Sequence, residues 1–211
     1  MDIVFFLFDR ITALDAVGPY EVLSRLPGAR VRFAGEAVGP VTTDNGFLRL
    51  MADVSIDEID RADLLVVPGG YGTRRLERAP RVLEWVRAID ATSRYTTAVC
   101  TGSFVLGAAG LLEGRRATTH WAWLEQLAKY GAVPVRERVV DEGRIVTAAG
   151  VSSGIDMALR LAATLAGPEL AQAIQLGIEY DPAPPFDAGS VDKAPPMIVE
   201  QLRALLAARA E

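Results

Sequence analysis

The sequence predicts an α/β fold: a mostly parallel sheet covered by helices on both faces, with a small antiparallel hairpin. Three observations lead there. Apolar runs of strand length alternate with stretches of helical periodicity. Those runs are short, mostly rich in β-branched or aromatic residues, and bounded by turns. Asp44-Asn45-Gly46, between two further strand candidates, is a hairpin signal. Half of the 211 residues are hydrophobic, and a chain of this length buries roughly 70% of the surface its unfolded form exposes. A single domain spanning the chain is the expectation.

Taken in order, the strands fall at residues 3–8, 31–34, 64–67, 95–99 and 145–148, with the hairpin at 41–50. The first run is bounded by Asp2 and by Asp9-Arg10 and is too short for a membrane span, so it reads as a buried strand. The first helix is expected from about Gly18, because Pro19 suits the first helical position and Val22, Leu23 and Leu26 share a face. Asp15 then lies in the turn before it. Further helices are expected over 72–89, 102–109, 121–130, 154–166, 168–177 and 196–210. The proline-rich stretch 181–189 between the last two reads as an irregular crossing, because proline removes donors and fixes φ.

Composition narrows the function. A net charge of −5 with scattered arginines offers no basic face to nucleic acid, and no segment approaches the length of a membrane helix. One cysteine excludes an internal disulfide and points to a reducing, cytoplasmic setting. With one cysteine and one histidine there is no believable zinc cluster, and the glycines form neither a dinucleotide fingerprint nor a phosphate loop. Nothing in the sequence demands a metal or cofactor.

Ligands of an open parallel sheet bind beyond the carboxyl ends of its strands. Those ends carry Asp15, the turn Pro68-Gly69-Gly70-Tyr71-Gly72, Cys100-Thr101-Gly102, and Gly150-Val151. Cys100 sits where a strand gives way to a helix, so unpaired helix N–H groups favour its thiolate, as at a nucleophile elbow. Backbone N–H groups of Gly70 and Thr101 are placed to cradle charge developing beside the sulfur. Free cysteines are also among the most buried and inert residues, so a packing role for Cys100 stays open. Asp15 is flanked by Leu14 and Ala16-Val17. Facing the thiol, it would share a proton with it as a coupled pair; the alternative is a helix cap. His120, the only histidine, either ends a short strand near the site or caps the helix that follows. Tyr71, Trp121, Trp123 and Tyr180 are candidates for an apolar pocket wall, or for ordinary core.

At these residues the sequence resembles the DJ-1/PfpI superfamily, through Ala98-Val99-Cys100-Thr101-Gly102 and Leu106-Gly107-Ala108-Ala109-Gly110-Leu111-Leu112. Within it, the chain is most similar to the isocyanide hydratases. Leu14-Asp15 with Gly18-Pro19, Pro68-Gly69-Gly70, Arg116-Ala117-Thr118-Thr119-His120-Trp121 and Glu179-Tyr180-Asp181-Pro182-Ala183-Pro184-Pro185-Phe186 carry that likeness. The resemblance implies a flavodoxin-like domain, of the class I glutamine amidotransferase type, working as a homodimer without cofactor on a small isocyanide. It places Cys100, Asp15 and Thr101 in the catalytic set and Gly69, Tyr71, His120, Trp121, Gly150 and Val151 around the substrate. DJ-1-like members usually pair the cysteine with glutamate, and PfpI-like proteases carry histidine directly after the nucleophile; here the residues are Asp15 and Thr101. Related regulators append a helix-turn-helix region, for which Glu211 leaves no room. Ala148-Ala149 departs from the glycine run of the hydratases, and the extra methyl groups are expected to narrow the pocket or alter packing of the next helix. The resemblance also leaves a glyoxalase acting on α-oxoaldehydes, and a cysteine-based ligand or oxidant sensor, as rivals.

Overall fold

The computed structural model describes residues 1–210. In chain order the elements are β1 (Asp2–Phe6), α1 (Ala13–Leu23), β2 (Arg30–Gly35), β3 (Gly39–Thr42), β4 (Arg49–Ala52), β5 (Val54–Ser55), β6 (Leu64–Val67), α2 (Thr73–Leu76), α3 (Pro80–Thr92), β7 (Tyr95–Val99), α4 (Gly102–Ala108), β8 (Arg116–Ala117), β9 (Val133–Pro134), β10 (Val139–Glu142), β11 (Ile145–Ala148), α5 (Ser153–Ala166), α6 (Pro168–Gly177) and α7 (Pro196–Ala210). Seven strands form the main sheet in the order β10-β11-β7-β6-β1-β2-β5. All neighbours run parallel except the edge strand β10, which is antiparallel to β11.

Side-chain alternation explains why these segments are buried on both faces. Ile3, Phe5, Leu64 and Val66 point to one layer, packing with Val99, Met157 and Leu161. Val4, Phe6, Leu65 and Val67 point to the other, with Trp85, Val86 and Phe104. The expected hairpin is present as β3 and β4, antiparallel from Gly39↔Ala52 to Thr42↔Arg49, and it stands as a ribbon of its own with Asp44 in its turn. Residues 181–189 hold neither helix nor strand, as their prolines imply.

Three helical expectations are corrected. The first helix begins at Ala13, after an extended Thr12, and Pro19 lies inside it. A proline there removes the single hydrogen bond to the Asp15 carbonyl and leaves the remaining turns intact. Asp15 therefore occupies the first helical turn rather than the loop before it. The stretch 72–89 is two helices, because Pro80 pushes Ala79 out of the helical region (φ −101°, ψ 96°) and restarts the helix behind it. Trp121–Tyr130 is a 3₁₀ helix, with three residues per turn. Among the described residues no helix is long and apolar enough to cross a membrane.

Candidate active site

β7 ends at Val99, and Cys100 turns the chain into α4 with φ of 55°, a left-handed conformation that costs a non-glycine residue about 1–3 kcal/mol. Its surroundings hold it there. The Cys100 N–H donates to the Ala148 carbonyl at 2.9 Å, and the Cys100 carbonyl accepts from the Thr119 hydroxyl at 2.7 Å. Gly150 (φ 111°) passes so close behind the thiol that a Cβ there would lie 2.8 Å from Cys100 Cβ and 3.2 Å from its Sγ.

Asp15 is fully buried. Its Oδ2 accepts from the Gly69 N–H at 3.0 Å, while Oδ1 has no hydrogen-bond partner. Burial raises the Asp15 pKa from 3.8 to about 8, and the nearby Asp44 charge adds to the rise; the Gly69 N–H and the Cys100 thiol pull the other way. Burial also holds the Cys100 thiol well above its ordinary range, and the charge of Asp15 reinforces it. The Thr101 N–H and hydroxyl act in the opposite sense. The two groups therefore resist carrying negative charge together, so any single charge belongs to the pair.

The loop after β1 is pinned from two sides. Thr12 N–H donates to the Gly69 carbonyl at 2.9 Å, and the Thr12 hydroxyl donates to Asp44 Oδ2 at 2.6 Å. These contacts set where α1 starts and hence where Asp15 points. Thr101 sits above the glycine turn. Its hydroxyl accepts from the Gly70 N–H at 2.9 Å and lies 3.1 Å from the Gly70 carbonyl. The Gly70 N–H, expected to cradle charge on the reacting group, is thus taken by Thr101, because that hydroxyl folds back over the peptide. The Thr101 N–H still favours the sulfur anion.

A cavity of about 320 Å³ opens over the cysteine. Gly70, Tyr71, Cys100, Thr101, His120 and Val151 line it; Gly69 and Gly150 are not in the lining, but each passes close to the cysteine. His120 takes the second of the two roles left open for it, since β8 stops at Ala117 and His120 ends no strand. Its Nδ1 accepts from the Ala122 N–H at 3.3 Å, capping the 3₁₀ helix, and its ring also borders the cavity. Burial lowers its pKa from 6.5 to about 4, so it is neutral at pH 7. No hydrogen bond joins it to Cys100 among the described residues.

Trp121 does not reach this cavity. It lies in a separate groove with Ile198 and Leu202, and the Arg203 guanidinium stands 5.3 Å from its ring centre. In a 3₁₀ helix residues three apart eclipse, so His120 and Trp123 share the cavity wall while Trp121 turns away. Tyr180 is also remote, hydrogen-bonded to Asp156 Oδ1 at 3.2 Å. Neither Ala148 nor Ala149 is among the residues that line the cavity: Ala148 is buried in the sheet, paired with Val99 and Val139, and the Ala149 N–H donates to the Arg138 carbonyl. Sequence reading missed Thr12, Asp44, Asn45, Arg74, Leu206 and Arg209, all of which border the cavity.

A model of the DJ-1/PfpI family matches residues 1–164. The chain belongs to the DJ-1/PfpI family. Among its relatives, isonitrile hydratase from Pseudomonas putida is 46% identical over 203 residues, covering 96% of this chain and 89% of that protein. The crystal structure of a ThiJ/PfpI family protein from Pseudomonas syringae superposes with a TM-score of 0.95 at 36% identity, covering 99% of this chain and 87% of that one. An HTH-type transcriptional regulator, CdhR of Pseudomonas aeruginosa, is 33% identical over 162 residues, 75% of this chain and 48% of that protein. The DJ-1/PfpI match includes β7, Cys100 and α4, as well as Asp15 and the glycine turn.

Proposed function

We propose that this chain hydrates isocyanides to N-formamides, with Cys100 as nucleophile and Asp15 as proton carrier. The observation that carries this reading is a fully buried carboxyl, pushed toward its protonated form, beside a cysteine held at a strained strand-to-helix elbow. Near full-length likeness to an isonitrile hydratase supports the same reaction.

In the reactive form the pair carries one negative charge. Cys100 Sγ attacks the terminal carbon of R–N≡C, and the Asp15 proton passes to that carbon, giving the thioimidate R–N=CH–S–Cys100. Asp15, now ionised, draws a proton from water as its oxygen adds to the same carbon. One water hydrogen ends on nitrogen. The other returns to Asp15 as the C–S bond breaks, releasing R–NH–CHO and the thiolate. Positioned proton transfer of this kind contributes roughly 10²–10⁴ in rate.

The decisive experiment follows formamide production from an aryl isocyanide by the wild type and by Cys100→Ala, beside lactate production from methylglyoxal. Formamide from the wild type alone supports the proposal. Lactate without formamide assigns the site to the glyoxalase reaction, and oxidation of Cys100 without any turnover assigns it to sensing. The exposed Leu176, Met197, Ile198 and Leu205 are consistent with a homodimer, which sedimentation analysis tests directly.

A further inference from the structure

One wall of the cavity lies outside the residues that the family model matches. The family match ends at residue 164, yet Leu206 and Arg209 of α7 border the same cavity as Cys100. An isocyanide is linear at its reacting end, so with its carbon at the sulfur the substituent R projects away from Cys100 into the cavity that Leu206 and Arg209 help to line.

The charges around that cavity are unequal. Arg74 contributes one cation, standing 4.8 Å from the Phe104 ring centre and 4.9 Å from that of Trp123. Arg209 contributes a second. Arg10 joins them in an adjoining hollow that shares Asp44, Tyr71 and Arg209. Against these, among the described residues, stand Asp44 and Glu77. Asp44 accepts the Thr12 hydroxyl at 2.6 Å. Glu77 lies 3.3 Å from Arg74, but it also takes Lys129 at 2.9 Å and the Tyr130 hydroxyl, so it does not cancel the Arg74 charge. Among the described residues the balance around the cavity is positive, and Leu206 and Trp123 supply apolar surface in the same lining.

Resting on the hydratase reading, we infer that α7 is the specificity element of this site and that it favours isocyanides bearing a carboxylate at the end remote from the reacting carbon. Leu206 packs on the organic body of such a substrate and Arg209 pairs with its anion.

The test compares 4-isocyanobenzoate with 4-methylphenyl isocyanide, reading kcat and KM separately in the wild type, R209A, R209K and R209E. The wild type should prefer the carboxylate in kcat/KM. That preference should fall about tenfold in R209A, through KM, as expected for loss of one ion pair in a partly desolvated cleft. R209K should restore part of it, and R209E should reverse it. A wild type that hydrates both compounds, with a preference unmoved by R209A and R209E, overturns this inference and leaves the hydratase reading intact. A wild type that hydrates neither overturns the reading on which it rests.

Discussion

Asp15 and Cys100 meet across a side chain that is not there. A Cβ on Gly69 would lie 2.8 Å from Asp15 Oδ2 and 2.8 Å from Cys100 Cβ, so carboxyl and cysteine flank one backbone point. Gly69→Ala should drive the two apart. We expect a loss of at least about 10² in kcat/KM, the scale on which small misplacements act, with far-ultraviolet circular dichroism unchanged. Full activity in this variant would contradict the shared-proton geometry.

Replacing the acid separates its two effects. Asp15→Asn should lower turnover by roughly 10²–10⁴. It should also lower the Cys100 pKa, because Asp15 is one of the causes that raise it. Alkylation of the thiol by iodoacetamide should therefore become faster near neutral pH in a variant that no longer turns over. Slower alkylation would show that the carboxyl does not act on the sulfur.

The pH–rate profile follows from the same pair. With both groups raised, and Asp15 at about 8, the pair reaches its singly charged form only as pH climbs. The kcat/KM profile of the wild type should rise through about pH 8 and turn down well above it, as the second proton leaves. A flat profile between pH 6 and 9, roughly a unit and more either side of that value, would exclude the pair as the source of the charge.

Stability should run against activity. The unfolded chain ionises Asp15 near 3.8, whereas the folded chain holds the proton to about 8. The contribution of Asp15 is therefore greatest below the unfolded value and declines as pH rises toward the folded one, by up to about 1.4 kcal/mol per unit. Urea unfolding across that window should show a steeper loss for the wild type than for Asp15→Asn. Parallel slopes would place the folded pKa near its ordinary value.

Thr101 supports the sulfur without touching the carboxyl. Thr101→Val leaves the buried Gly70 N–H without its acceptor, a cost of about 1–3 kcal/mol, and removes a group that favours the thiolate. Both the denaturation midpoint and the rate of thiol alkylation should fall. Thr101→Ser should recover both, which a purely steric role for the methyl group would not produce.

Much of this is legible in the sequence itself. The buried strands declare themselves through apolar runs bounded by turns, and Cys100 through its place between a strand and a glycine-led helix. Asp15 was identifiable as an acid at the same sheet edge, but its position in the helix was not, because Pro19 reads as a start signal and α1 tolerates it inside. Trp121 sits beside His120 in the sequence, but at three residues per turn it is Trp123 that joins His120 at the cavity while Trp121 faces another groove. Asp44, Arg74, Leu206 and Arg209 carry no local signal at all. They reach the cavity through the hairpin turn, a four-residue helix and α7, and only tertiary packing brings those together.

The complete burial of Asp15 has a consequence for how the reaction communicates with its medium. Adding water to an isocyanide neither takes up nor releases hydrogen ions overall, and a carboxyl with no accessible surface cannot be reached by phosphate, imidazole or Tris. The cycle is closed within the cleft, so its speed at constant pH and ionic strength should not depend on how concentrated the buffer is.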